Sequence, residues 1–169
     1  MRTYKYFDNV KKNAVFTEQA CQFCGSKNDC LEGVYFEKNN IESVCVEGLA
    51  QSETSVYIPD EIQSKIVRDR IKKVGELSIT PPVAWVQSNE WPVCCDDYMK
   101  YIGEWEKTDF INQSSHEEYI NYFKKLLDKK MLERIDDIET LIEDLGYDSV
   151  AYAFRCIYCN KITIVCQDY

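Results

Sequence analysis

Cys156-Ile157-Tyr158-Cys159, followed by Asn160-Lys161, is entered by one strand-like run and left by another near the C-terminal end of the sequence. A matching turn, Cys21-Gln22-Phe23-Cys24 followed by Gly25-Ser26-Lys27, lies toward the other end. In each, Gly or Asn follows the second cysteine directly, and these residue types best tolerate a left-handed backbone. That is the chemistry of a tight turn offering two sulfurs to one tetrahedral ion, and four such thiolates complete a closed structural zinc site. The expected metal ligands are therefore Cys21, Cys24, Cys156 and Cys159, with the rest of the chain folded around their junction.

Outward from the C-terminal turn, Val150, Tyr152 and Phe154 alternate on the entering strand, and Ile162, Ile164 and Cys166 on the returning one. The pattern predicts a hairpin with the knuckle at its tip. Cys166 falls with the apolar set and reads as a small buried hydrophobe. Around the first turn, Tyr4, Tyr6, Val15 and Phe16 suggest short extended pieces, with further strands from Leu31 to Phe36 and from Ile41 to Val46.

Between the turns, Pro59-Asp60-Glu61 opens a helix whose stripe is Ile62, Ile66, Val67, Ile71 and Val74, ending at Gly75. Residues 78–105 are rich in prolines and aromatics, among them Pro81, Pro82, Trp85 and Trp91, and predict an irregular segment up to about Asp96. A packed aromatic layer over a metal site is the expected role, with a ligand groove or a protein-binding edge as alternatives. Asp96-Asp97 then predict a short helix through Tyr101. Adjacent Cys94 and Cys95 cannot easily ligate one ion together. Residues 114–145 predict a long helix capped by Ser114-Ser115, with a bend near Lys129-Lys130, and its second half carries Asp136, Asp137, Glu139, Glu143 and Asp144.

The 169 residues suit one α+β domain, with 107–149 as a mostly helical insertion. The fold class expected is a small antiparallel sheet with zinc-ribbon-like hairpins packed against two or three helices. Twenty Lys and Arg against 29 Asp and Glu give a net charge of −9, which opposes approach to a phosphate backbone. A nucleic-acid-binding ribbon is thereby disfavoured, despite the basic patch Lys124, Lys125, Lys129 and Lys130. No apolar run is long enough to span a membrane. The opening residues lack a secretory pattern, so the nine cysteines read as reduced thiols of a cytoplasmic protein.

Three blocks resemble the CbrC family of uncharacterised bacterial proteins. They are Tyr4-Lys5-Tyr6 with Val15-Phe16 and the first cysteine pair; Pro82, Trp85, Gln87, Trp91 and Cys95-Asp96-Asp97-Tyr98 through Gly103; and Ala153 through Lys161. The family pattern resembles four cysteine pairs, and this chain departs from it at Gly48, Met99 and Cys94, the last standing where a histidine is usual. Two losses within one site would group Cys45 with Cys95 as a second or vestigial site, leaving the four knuckle cysteines complete. The competing grouping follows chain order: Cys21 and Cys24 with Cys45, and Cys156 and Cys159 with Cys95. It leaves two three-sulfur sites, closed by Cys30 and Cys94, or no metal at all.

One member of the family is associated with tolerance to a nuclease colicin. The resemblance, joined to the acidic charge, implies an immunity or tolerance protein that binds a basic nuclease toxin around a structural zinc. Asp136, Asp137, Glu139, Glu143 and Asp144 are the expected docking groups, with Trp85 and Trp91 as anchors. An enzyme is not expected. The single histidine, His116, reads as a surface residue, and a four-thiolate zinc has no open position. A thiol or metal-dependent enzyme and a zinc-ribbon interaction module unrelated to immunity are the alternatives.

Overall fold

A computed structural model describes residues 2–37 and 40–169. Its centre is a three-stranded antiparallel sheet of β5 (Lys100–Glu104), β6 (Ser149–Arg155) and β7 (Ile162–Asp168), in that order. Strand β6 is buried from Ser149 to Phe154. Its bulky positions pack into an aromatic layer: Phe154 stacks on Trp85 at 5.9 Å between centroids and meets Trp91 and Tyr101 at 5.4 Å each. The small positions Ala151 and Ala153 are buried as well, so both faces of the strand are covered. The knuckle is the tip of the β6–β7 hairpin, whose last pair is Arg155 with Ile162.

Two smaller hairpins flank this sheet. One pairs β1 (Cys30–Glu32) with β2 (Ser43–Cys45) and runs on into α2 (Val46–Ala50), while α1 (Val10–Asn13) precedes the first knuckle. The other pairs β3 (Val93–Cys94) with β4 (Asp97–Tyr98). The expected α+β class, with cysteine-bearing hairpins and helices, is the architecture found.

Several elements differ from the sequence reading. No helix starts at Asp96-Asp97. Cys95 and Asp96 both have positive φ, at 55° and 58°, and form the two-residue turn between β3 and β4. The helix opened by Pro59 ends early: α3 (Asp60–Gln63) is separate from α4 (Arg70–Ser78), and Gly75 lies inside α4. The Asp96 carboxylate accepts from the Val67 and Arg68 amides at 2.8 and 3.0 Å, supplying the chain between the two helices with bonds a helix would have made. Ile62 and Ile66 are buried, whereas Val67 and Ile71 stand exposed.

The long helix expected over 114–145 is likewise three short ones, α6 (Tyr119–Leu126), α7 (Lys129–Arg134) and α8 (Ile138–Asp144). They follow α5 (Lys107–Gln113), whose C-terminal end Ser114 caps, so Ser114-Ser115 do not open a helix. Aspartates write the breaks. Asp128 accepts from the Met131 amide at 2.8 Å, and Asp137 from the amides of Glu139 and Thr140 at 2.9 and 3.2 Å, so each starts a new helix.

Candidate metal centres

Both knuckles close with the same backbone hydrogen bonds. The Gly25 amide donates to Cys21 O at 2.9 Å and the Cys21 amide to Ser26 O at 2.7 Å. At the other end the Asn160 amide donates to Cys156 O at 3.1 Å and the Cys156 amide to Lys161 O at 2.8 Å. Gly25 and Asn160 take φ values of 71° and 60°, the left-handed turn anticipated from their identity.

The two knuckles do not share an ion site. The sulfurs of Cys94, Cys95, Cys156 and Cys159 lie within 4.8 Å of one another, and those of Cys21, Cys24 and Cys45 form a separate cluster. This corrects the grouping of Cys21, Cys24, Cys156 and Cys159, and equally the pairing of Cys45 with Cys95. Chain order prevails for two local reasons. The first knuckle is pinned to β2: the Gln22 amide donates to Ser43 O at 3.1 Å, and Gln22 Oε1 accepts from the Glu42 and Ser43 amides at 2.6 and 3.2 Å. At the other end, Lys100 pairs with Arg155 across β5 and β6. Antiparallel register then sets the residues just before Lys100 against those just after Arg155.

Adjacent Cys94 and Cys95 do serve one cluster, with their Sγ atoms 3.8 Å apart. The left-handed backbone at Cys95 cancels the alternation that would have sent successive side chains to opposite faces. Cys94 also lies 3.6 Å from Cys159 Sγ. Zinc–sulfur bonds of about 2.3 Å at tetrahedral angles put ligand sulfurs about 3.8 Å apart, whereas a disulfide needs about 2.05 Å. The spacing fits ligands of one ion, and all nine cysteines are free of disulfides.

The electrostatics point the same way. Burial opposes ionisation of Cys156, but the amides of Cys159 and Tyr158 and the neighbouring thiols bring it down to about 7. Burial, followed by the hydrogen-bonded sulfurs around it, pushes Cys94 up to about 12. In the other cluster burial again opposes ionisation of Cys21, which nearby amides bring to about 7, while burial raises Cys45 to about 11. Sulfurs this close cannot all be anions until a cation offsets their repulsion. Cys166 is in neither cluster, and burial pushes it up to about 12.

A buried carboxylate that the sequence reading took for part of a helix start supports the four-sulfur cluster. Asp97 is 1% exposed and accepts from Tyr6 Oη at 2.7 Å, Tyr158 Oη at 2.9 Å and the Tyr98 amide at 2.9 Å, with Lys5 Nζ at 2.9 Å. Burial works against its charge, yet the bonds from Lys5, Tyr6 and Tyr158 hold it below the ordinary carboxylate range. Its sequence signals are proximity to Cys95 and a place in the block Cys95-Asp96-Asp97-Tyr98 that carries the family resemblance.

The acidic docking groups fall on and around α8. Asp136, Asp137 and Asp144 border one pocket of about 320 Å³ together with Asp168. Asp137 is engaged as a helix cap and Glu143 pairs with Lys107. Asp136, Glu139 and Asp144 form no ion pair among the described residues. Trp85 and Trp91 cannot act as projecting anchors, because they are 7% and 3% exposed inside the aromatic layer. They border a groove of about 580 Å³ with Tyr57, Pro81 and Pro82. His116 is exposed, with Tyr119 as its aromatic neighbour.

Fold and sites together define a cysteine-rich α+β protein with two cysteine clusters that could hold a metal ion, one of four sulfurs and one of three. The chain belongs to the uncharacterised protein family UPF0167, also known as the CbrC family, which matches residues 1–168. No curated protein and no solved structure matches it. No helix among the described residues is long and apolar enough to cross a membrane.

Proposed function

We propose that this is a zinc-stapled binding protein that makes and breaks no bonds of its own and docks a basic protein partner in the cytoplasm. The observation that carries the staple is the meeting of four sulfurs from two hairpin tips, within 4.8 Å of one another. Zinc there joins the β3–β4 turn to the β6–β7 knuckle and supplies folding free energy, while four protein donors leave it no place for substrate. The partner class rests on the net charge of −9 and on the family resemblance, which point to a nuclease-type bacterial toxin. Nucleases attract phosphates and are electropositive, so carboxylates such as Asp136, Glu139 and Asp144 can steer association and cover the substrate path.

Two measurements test this reading. Zinc content of the purified protein should fall by one equivalent in Cys159→Ser. A nuclease encoded beside its gene should lose activity at stoichiometric inhibitor and regain it with Asp136→Lys/Glu139→Lys/Asp144→Lys. Unchanged nuclease activity in excess protein ends the docking proposal, and metal-free protein with normal stability ends the staple.

A further inference from the structure

The cluster beside the N-terminal knuckle has three sulfurs where its counterpart has four. Cys24 and Cys45 Sγ lie 3.7 Å apart, between the 3.6 and 3.8 Å seen in the four-sulfur cluster. Cys30 does not complete it, since its thiol donates to Ser26 O at 3.2 Å and to Asn28 O at 3.7 Å. Gly48 stands where a fourth donor would. Its amide donates to Cys45 Sγ at 3.2 Å, and a Cβ built on it would lie 3.2 Å from Val44 Cγ2, 3.4 Å from Cys45 Sγ and 3.9 Å from Cys21 Sγ. A side chain there would point among the sulfurs, and glycine supplies no donor.

The cluster opens on a pocket of about 450 Å³ bordered by Cys24, Cys45, Arg2, Lys11, Asp29 and Glu47. Cys24 is exposed, whereas Cys21 and Cys45 are buried. The cluster can thus be reached from one side while two of its sulfurs are held in the fold.

We infer that Cys21, Cys24 and Cys45 form a second metal centre with one open coordination place. It takes a thiophilic divalent ion and completes the tetrahedron with a small neutral donor from the pocket. Each thiol releases its proton to solvent as the ion binds. Three thiolates around a divalent ion leave a net charge of −1, and Arg2 and Lys11 at the rim are balanced by Asp29 and Glu47. With no net positive charge the rim does not draw a free anion out of solution, so water or an imidazole-type nitrogen is the outer ligand unless the chain itself supplies a fourth donor. The centre differs in kind from the four-thiolate staple: it exchanges its outer ligand and releases its ion more readily.

Cobalt(II), whose ligand-field bands report the donor set, is the probe, added to the reduced, zinc-free full chain. A second equivalent should bind with a spectrum distinct from the four-thiolate one, and imidazole should shift that spectrum alone. Gly48→Cys should abolish the imidazole response by closing the site. Cys24→Ser, at an exposed position, should lose the second equivalent and keep the four-thiolate spectrum. Binding of only one equivalent by the wild type, imidazole-insensitive bands at both sites, or a wild-type imidazole response in Gly48→Cys each overturns the inference. Loss of the second equivalent alone leaves the proposed function standing, because the four-thiolate bands are read in the same titration.

Discussion

Tyr158, between the two cysteines of the C-terminal knuckle, donates its hydroxyl to Asp97 Oδ2 at 2.9 Å, and Asp97 is the residue that leaves the turn bearing Cys94 and Cys95. One hydrogen bond therefore ties together the two hairpin tips whose sulfurs meet. Tyr158→Phe keeps every thiol and removes this tie. Outer partners of metal ligands typically contribute about tenfold or more to affinity, so zinc should bind about tenfold more weakly in the variant. Competition with a chromophoric chelator measures it, and equal affinities would remove Tyr158 from any role at the metal.

Asp97 has wider consequences. It joins Lys5 and Tyr6 of the N-terminal segment to the β3–β4 turn, and Lys5 also reaches Glu76 of α4 at 3.1 Å. Asp97→Ala strands these donors around a buried gap, and breaking such a group costs about 3 kcal/mol. Urea unfolding of the zinc-loaded protein should show the midpoint falling with little change in slope.

Phe154 is fully buried against Trp85, Trp91 and Tyr101. Phe154→Ala should destabilise by about 4 kcal/mol through lost contacts and a cavity on the central strand. Tryptophan fluorescence should move to longer wavelength, since two of its ring neighbours are indoles.

Asp137 gives a pH prediction whose sign follows from its contacts. The Thr140 hydroxyl first, and then the Thr140 and Glu139 amides, hold its carboxylate below the ordinary range. A depressed folded pKa means the contribution is complete above the unfolded value of about 3.9 and is lost as pH falls through the folded one. Asp137→Asn keeps an acceptor without the titrating charge. The advantage of the wild type over this variant should shrink on acidification below about pH 4, as read from paired denaturation curves.

Cys166 separates a structural thiol from the clustered ones. Burial pushes it up to about 12, so it should resist alkylation in the native protein at neutral pH. Cys166→Ala should leave metal content unchanged and cost about 1 kcal/mol, on the scale of one buried methylene. A drop in bound metal would contradict the placement of this residue outside both clusters.

How far the structure was legible depends on range. The C-terminal hairpin, both knuckles and the burial of Cys166 were readable because each depends on neighbours in sequence: alternation, a C-x2-C step, and Gly or Asn at a left-handed position. The helices after Pro59 and within 114–145 were legible in location but not in length, and the helix expected at Asp96-Asp97 is a hairpin turn. Their breaks turn on Asp128 and Asp137 acting as caps and on Asp96 reaching Val67 and Arg68 from 28 or 29 residues away. The apolar stripe also misjudged Val67 and Ile71, which stand exposed.

By itself the sequence determined that two turns each offer a pair of sulfurs, that an antiparallel hairpin carries the second, and that the surface is acidic. Which sulfurs cluster together was decided only in three dimensions. The pairing of Lys100 with Arg155 delivers Cys94 and Cys95 to the second knuckle, and the Gln22 bonds to β2 deliver Cys45 to the first. A ligand set is a matter of distances of a few ångströms between segments far apart in the chain. Strand register fixes those distances, and the spacing of cysteines does not encode it.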